Sequence, residues 1–206
     1  MASSTTTRES ARDRERIDGD YSHQAPEGRA GVNDATAERS ADIVLGAAVI
    51  AMGLVAGLFF FSAIAVMPAL TAADDRTLVD AMQQTIDKIE NPAFFLVFIG
   101  APVLAAVALA QARQSGQAKT TAWIVAGLVL YTVMLVITFA VHLPLNEDLK
   151  DAGDPARIEN LAEVRDDFVT PWVAWDIVRT VASIAGFGAL VWALALRGRL
   201  GRPEQA

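Results

Sequence analysis

Asp176 and Arg179 stand three residues apart in an otherwise apolar run, and charged groups in such surroundings are costly enough to need a reason. Trp172, Trp175, Asp176, Arg179 and Ser183 follow one another at steps of three, one, three and four, which places them on one face of a helix. Asp176 and Arg179 can pair at i, i+3, and the pair is cheaper to hold near the interface than either charge alone. In the preceding apolar run Tyr131, Thr138 and His142 share a face, and Pro144, Leu145 and Asn146 follow directly. His142 adds the side chain best suited to acid–base work near neutrality. Asn91 opens another apolar run, just before Pro92. In a helical bundle His142, Asn146, Asp176, Arg179 and Asn91 all come to the same end, where one cavity can hold them. The candidate catalytic set is therefore His142, Asn146, Asp176 and Arg179, with Asn91, Tyr131, Thr138, Trp172 and Trp175 as candidate substrate contacts around it. Each residue also has a plainer reading. Tryptophans at the entrance of a span belong to the interfacial belt, an arginine two turns inside can snorkel outward, and a single histidine can serve only as a hydrogen-bonding group.

Composition excludes several chemistries. The chain has no cysteine, so disulfides, thiolate metal sites, iron–sulfur clusters and cysteine nucleophiles are ruled out. His23 and His142 are its only imidazoles, and His23 belongs to a hydrophilic stretch, so no His-rich di-metal centre or bis-His haem is expected, and no metal ligand set is identified. Phosphate-binding loops, dinucleotide fingerprints, HExxH and GxSxG are missing, and no cofactor is identifiable. A net charge of -7, with no basic face, excludes nucleic acid as a partner.

The elements that must position these residues are membrane spans. Of 206 residues, 53% are hydrophobic, and residues 43–70 contain no charge at all. That stretch exceeds the roughly 20 residues needed to cross the hydrocarbon, and it is too long for a cleavable signal core. Further spans are expected at 92–111, 122–144 and 171–196, so the fold class is an all-α membrane protein with a four-transmembrane-helix bundle in residues 43–196. Residues 1–42 carry too few apolar side chains to fold and are expected to be a disordered tail, with residues 197–206 as a second short tail. Arginine and lysine gather before the first span, between the second and third, and after the fourth, whereas residues 71–91 and 143–170 are acidic. The expectation is a multi-pass protein of the cell membrane with both termini cytoplasmic.

The acidic loops are patterned. Leu78, Met82, Ile86 and Ile89 recur at three and four residues, predicting an amphipathic helix over 77–90. Asp154 and Pro155 form a helix start leading into Ile158, Leu161, Val164 and Phe168. These two short helices lie either across the outer mouth of the bundle or on the membrane surface. Gly53 and Gly57 form a GxxxG pair that permits close packing, within the bundle or in a homo-oligomer. Phe59, Phe60 and Phe61 read as lipid and core packing. No internal repeat is present, which weighs against transporters built from duplicated halves.

The order Gly53, Ala56-Gly57, Ser62, Pro68-Ala69-Leu70, then Met82-Gln83, Asn91-Pro92, Thr138, Pro144-Leu145-Asn146, and finally Trp172, Trp175-Asp176 and Arg179-Thr180 resembles the anthrone-oxygenase-like family of small four-helix membrane proteins. The similarity covers residues 43–196. Its most specific pieces are Pro144-Leu145-Asn146 and the Trp-x-x-Trp-x-x-x-Arg pattern from Trp172 to Arg179. His142 and Asp176 stand where asparagine is common in the family, which changes proton chemistry more than fold. The resemblance implies oxidation of an anthrone or another electron-rich aromatic by molecular oxygen. In that version His142, or Asp176 acting with it, removes a proton, Arg179 and Asn146 hold the oxyanion, and Trp175 packs on the ring. The competing class is a non-enzymatic membrane protein that binds a lipid, a quinone or a partner protein, with the Asp176–Arg179 pair serving assembly. An apolar cavity reaching His142 and Arg179 favours catalysis or binding of a small hydrophobic ligand; a filled mouth favours a structural role.

Overall fold

The computed structural model describes residues 27–200, so residues 1–26 and 201–206, which hold most of the expected first tail and the end of the second, lie outside it. The chain divides into Met1–Ala41 and Asp42–Ala206. In the first unit the described residues are helical from Glu27 onward, the opening of α1 (Glu27–Phe61). The second unit continues with a π-helical turn (Ser62–Val66), α2 (Met67–Thr71), α3 (Asp75–Ile89), α4 (Pro92–Gln114), α5 (Ala118–Ile137), a second π-helical turn (Thr138–His142), α6 (Leu143–Asp151) and α7 (Leu161–Leu200). There is no strand among the described residues. Among the described residues four stretches are long and apolar enough to cross a membrane: Thr36–Thr71, Pro92–Gln114, Ala118–Asp151 and Leu161–Arg199. Their outward surfaces remain hydrocarbon, with Leu96, Val129 and Val181 among the exposed side chains. In water such surfaces would aggregate; in lipid they are already solvated. The protein is an all-α, four-span membrane bundle.

Proline placement explains where the spans change course. Pro144 does not end the third span as its missing donor would suggest. The π turn ahead of it widens the helix, Leu143 N–H donates to Thr138 O, and Pro144 enters α6 as a first-turn residue, where no donor is needed. Pro68 is accommodated in the same way after Ser62–Val66, with Met67 N–H donating to Ser62 O. Pro171 sits inside α7 rather than at its start, and the expected helix from Pro155 is absent as such. Asp154 Oδ1 instead accepts from Ala156 N–H at 2.9 Å and its carbonyl accepts from Arg157 N–H at 2.8 Å, closing a turn. The helix begins only at Leu161 and runs unbroken through Pro171, whose one lost partner is the carbonyl of exposed Asp167.

Two apolar cores result. Leu45, Met52, Ile124, Tyr131, Met134 and Leu190 fill the bundle, in which α5 and α7 make the most extensive pair. Their approach depends on small residues: a Cβ on Gly186 would lie 3.2 Å from Gly127 O, and one on Gly127 would lie 2.9 Å from Leu190 Cδ2. Gly53 is likewise occupied within the chain, since a Cβ there would lie 2.9 Å from the Phe187 ring, whereas Gly57 meets nothing. The second core joins Met67, Leu78, Met82, Ile86, Leu149 and Phe168, so the predicted apolar face of α3 packs across one end of the bundle.

Polar ties fix α3 there. Gln83 Nε2 donates to Leu149 O at 2.8 Å and Gly153 O at 2.9 Å, while Arg165 bonds Asp75 and donates to Thr71 O at 2.6 Å. Asp74 caps α3, accepting from Thr77 Oγ1 at 2.7 Å and Thr77 N–H at 3.0 Å. Those bonds hold its carboxyl below the usual carboxylate range. At the opposite end Arg197 joins Asp42 at 2.6 Å and Gln117 at 3.1 Å.

Candidate functional site

Between α3 and the bundle lies a cavity of about 140 Å³. Its floor and sides come from α4 (Phe94, Phe98), the second π turn and α6 (Thr138, His142, Asn146) and α7 (Trp172, Arg179), while Met82 and Ile86 of α3 form the roof. An apolar enclosure with a few convergent polar groups is the usual form of a small-molecule site.

His142 ends the π turn and is 1% exposed. Its Nδ1 lies 3.4 Å from Ile137 O, a carbonyl five residues back, and its Nε2 makes no hydrogen bond. The tautomer with the proton on Nδ1 suits that carbonyl and leaves Nε2 as a base. The ring stands edge-on to Trp172 at 5.0 Å between centroids. Trp172 Nε1–H donates to Asn146 Oδ1 at 3.1 Å, so histidine, tryptophan and asparagine fix one another across the gap between α6 and α7. With Oδ1 taken, the Asn146 amide presents its N–H donors.

Arg179 closes the inner wall. Its Nε and Nη2 donate to Asp176 Oδ1 at 2.8 and 2.7 Å, and its guanidinium carbon lies 4.3 Å from the Phe59 ring centroid and 5.1 Å from that of Trp172. The ion pair and the two aromatic faces hold the cation where water cannot solvate it well. Both bonds to Asp176 use one edge of the fork, which leaves Nη1 for a ligand. Asp176 is 1% exposed and lies behind Arg179, outside the cavity lining.

Of the nine residues singled out in the sequence, five line this cavity: Thr138, His142, Asn146, Trp172 and Arg179. Asp176 acts on it only through Arg179. Tyr131 is fully buried below, its hydroxyl donating to Phe98 O at 2.6 Å, a bond that pins one wall. Asn91 is not brought to the site: Oδ1 accepts from Phe94 N–H at 3.0 Å and Nδ2 donates to Lys88 O at 2.9 Å, so its side chain is spent on capping α4. Trp175 is 43% exposed on the outside of α7, and the aromatic wall is Trp172 instead. At 100° per residue the step from 172 to 175 falls at the edge of the stripe, far enough to turn the ring away. Phe59 and Phe94 line the cavity without any local signal, since their role depends on which helices meet, whereas Met82 comes from the amphipathic face of α3.

The family model described as anthrone oxygenase matches residues 94–189, a little under half of the chain. Over that stretch the chain is similar to the anthrone-oxygenase family. The matched region runs from α4 to most of α7, so it holds His142, Asn146, Trp172, Asp176 and Arg179, while Phe59 and α3 lie before it. No curated protein and no solved structure matches the chain. The matched region thus supplies Thr138, His142, Asn146, Trp172 and Arg179 of the cavity wall, and the preceding part supplies its roof together with Thr85 and Glu90.

Proposed function

We propose that the protein is a membrane-embedded, oxygen-dependent oxidase of an anthrone-like or other electron-rich aromatic substrate. The observation that carries this reading is the buried, unbonded Nε2 of His142 in the same cavity wall as Arg179, on a chain with an anthrone-oxygenase match. The substrate lies between Trp172 and Phe94, its ring carbonyl toward Arg179 and Asn146. His142 Nε2 takes a proton from the methylene opposite that carbonyl, and the charge moves to the oxygen, where Arg179 Nη1 and the Asn146 amide receive it. The carbanion carbon then bonds to dioxygen, and the distal oxygen takes the proton back from His142 to give a hydroperoxide. Loss of water from the hydroperoxide leaves a second carbonyl. One methylene and one dioxygen become one ketone and one water. Asp176 positions Arg179 rather than touching substrate.

The reading includes a cell-membrane location with both termini cytoplasmic, so that the cavity faces the outer leaflet and is reached from lipid past Phe95, Phe139 and Leu143, each partly exposed on its rim. A cysteine-free sequence makes single-cysteine labelling from either side a clean test of that orientation.

The activity is tested by oxygen uptake and quinone formation from anthrone by the purified protein in lipid nanodiscs. His142→Gln is expected to lower turnover by about 10²–10⁴-fold, the usual weight of a positioned base, with helicity unchanged. Unaltered turnover would remove His142 from the mechanism. The closed Asp176–Arg179 pair, beside the apolar cavity, also fits a non-enzymatic ligand-binding module. In that case the same preparation binds aromatic or quinone ligands but consumes no oxygen.

A further inference from the structure

Arg179 faces a second chamber as well. It measures about 130 Å³, is walled by Leu58, Phe61, Ser62, Val66 and Met67, and meets the His142 cavity along Phe59, Met82, Trp172 and Arg179. We propose that this second chamber holds dioxygen and delivers it from the membrane to the reacting carbon, while the aromatic substrate occupies the His142 cavity. The proposal rests on the oxidation described above.

Four observations converge. His142, Asn146 and Thr138 line only the first cavity, so a ring carrying a carbonyl or phenol finds its partners there. Apart from Arg179, the hydroxyls of Ser62 and Thr85 and the indole of Trp172, whose N–H is bonded to Asn146, the second chamber offers hydrocarbon and thioether, a lining suited to an uncharged, weakly polarisable diatomic. Its size is close to that of an apolar cavity of about 150 Å³ that takes up benzene or xenon, so a gas molecule enters without displacing protein. Finally, Leu58 and Phe61 form its lip and are 41% and 58% exposed on a stretch long and apolar enough to cross the membrane. The chamber therefore opens toward hydrocarbon, in which dioxygen is more soluble than in water.

The shared wall gives the arrangement a chemical purpose. When the carbanion pair forms the new carbon–oxygen bond, negative charge leaves the substrate oxygen and appears on the distal dioxygen atom. A guanidinium between the chambers can follow that charge from one side to the other, and the protonated His142 then neutralises it. Two lobes also let the bulky substrate and the gas bind without competing for one space.

Steady-state oxygen uptake in nanodiscs, with anthrone and dioxygen varied independently, tests this. Val66→Phe and Ser62→Leu fill the second chamber and are expected to raise KM for oxygen about fivefold or more, with kcat at saturating oxygen and KM for anthrone unchanged. Thr138→Leu, in the first cavity, is expected to raise KM for anthrone alone. Should Val66→Phe fail to fold, Ser62→Leu carries the test. An unchanged oxygen KM in the folded filling variants, or a rise in anthrone KM instead, overturns the proposal and leaves the oxidase reading standing. Absence of oxygen uptake by the wild-type protein overturns both.

Discussion

Removing Arg179 alone should hurt the protein more than removing it together with its partner. Asp176 accepts two charged bonds on Oδ1, at 2.7 and 2.8 Å, and both the carboxylate and Arg179 side chains are over nine-tenths buried. Arg179→Met strands an ionised carboxylate in that setting, and breaking a buried pair from one side costs about 3–5 kcal/mol. Asp176→Asn keeps an acceptor for the guanidinium, which still lies over Phe59 and Trp172, each such contact contributing about 0.5–2 kcal/mol. Its expected cost is therefore smaller, about 1–3 kcal/mol, that of an impaired charged hydrogen bond. The double variant Asp176→Leu/Arg179→Met leaves no buried charge and should recover most of the loss, because apolar replacement of a buried pair is often neutral. Reversible unfolding in mixed micelles gives the three stabilities and hence the coupling energy, expected to exceed about 2 kcal/mol. Oxygen uptake is measured on the same samples. A stable double variant without turnover separates the catalytic use of Arg179 from its structural use. A cost below about 1 kcal/mol for Arg179→Met would show that Asp176 is not desolvated as described, and full turnover in the double variant would remove Arg179 from the chemistry.

Gly186→Ala should destabilise the bundle by about 1–3 kcal/mol in the same unfolding assay, because its Cβ meets the backbone oxygen of Gly127 on the facing helix, whereas Gly188→Ala, with open space around it, should be near neutral. Tyr131→Phe should cost about 1 kcal/mol and loosen the Phe98 wall, read as a weaker KM for anthrone with kcat little changed. Asp74 has a lowered carboxyl pKa when folded, so its contribution to the start of α3 is present above the ordinary carboxylate range and lost as pH falls through the lowered value. Amide exchange at Thr77 and Leu78, compared with Asp74→Ala, should show protection converging only at acid pH.

The spans were readable because a charge-free run such as 43–70 has one stable environment, and α3 because Leu78, Met82 and Ile86 repeat at helical spacing. The meeting of His142, Asn146, Trp172 and Arg179 at one cavity followed from counting turns along two adjacent spans. Other features depend on information that spacing does not carry. Asn91 and a cavity asparagine look alike until the cap bond to Phe94 is seen, and Trp175 differs from Trp172 only by a rotation near the edge of the stripe. Pro144 and Pro171 read as helix boundaries, yet a widened turn spares one the need for a partner and a carbonyl on an exposed residue spares the other. The role of Phe59 is set wholly by the helices it happens to face.

The π turn ending at His142 is, in effect, a one-residue insertion accommodated inside a continuous helix. Upstream, Ile124, Tyr131 and Met134 keep one phase toward the bundle; downstream, Leu145 and Leu149 keep another, toward α3. A helix without that extra residue could satisfy only one of these neighbours. Deleting Ala140 would bring the two phases into line by turning the downstream part about 100°. The damage would surface not at the deletion but two turns away, where Leu149 would leave the apolar face of α3 and the carbonyl that Gln83 grips would swing out of reach. The tilt of the roof over the cavity is thus encoded in the length of a span that never touches lipid at that point as a regular helix.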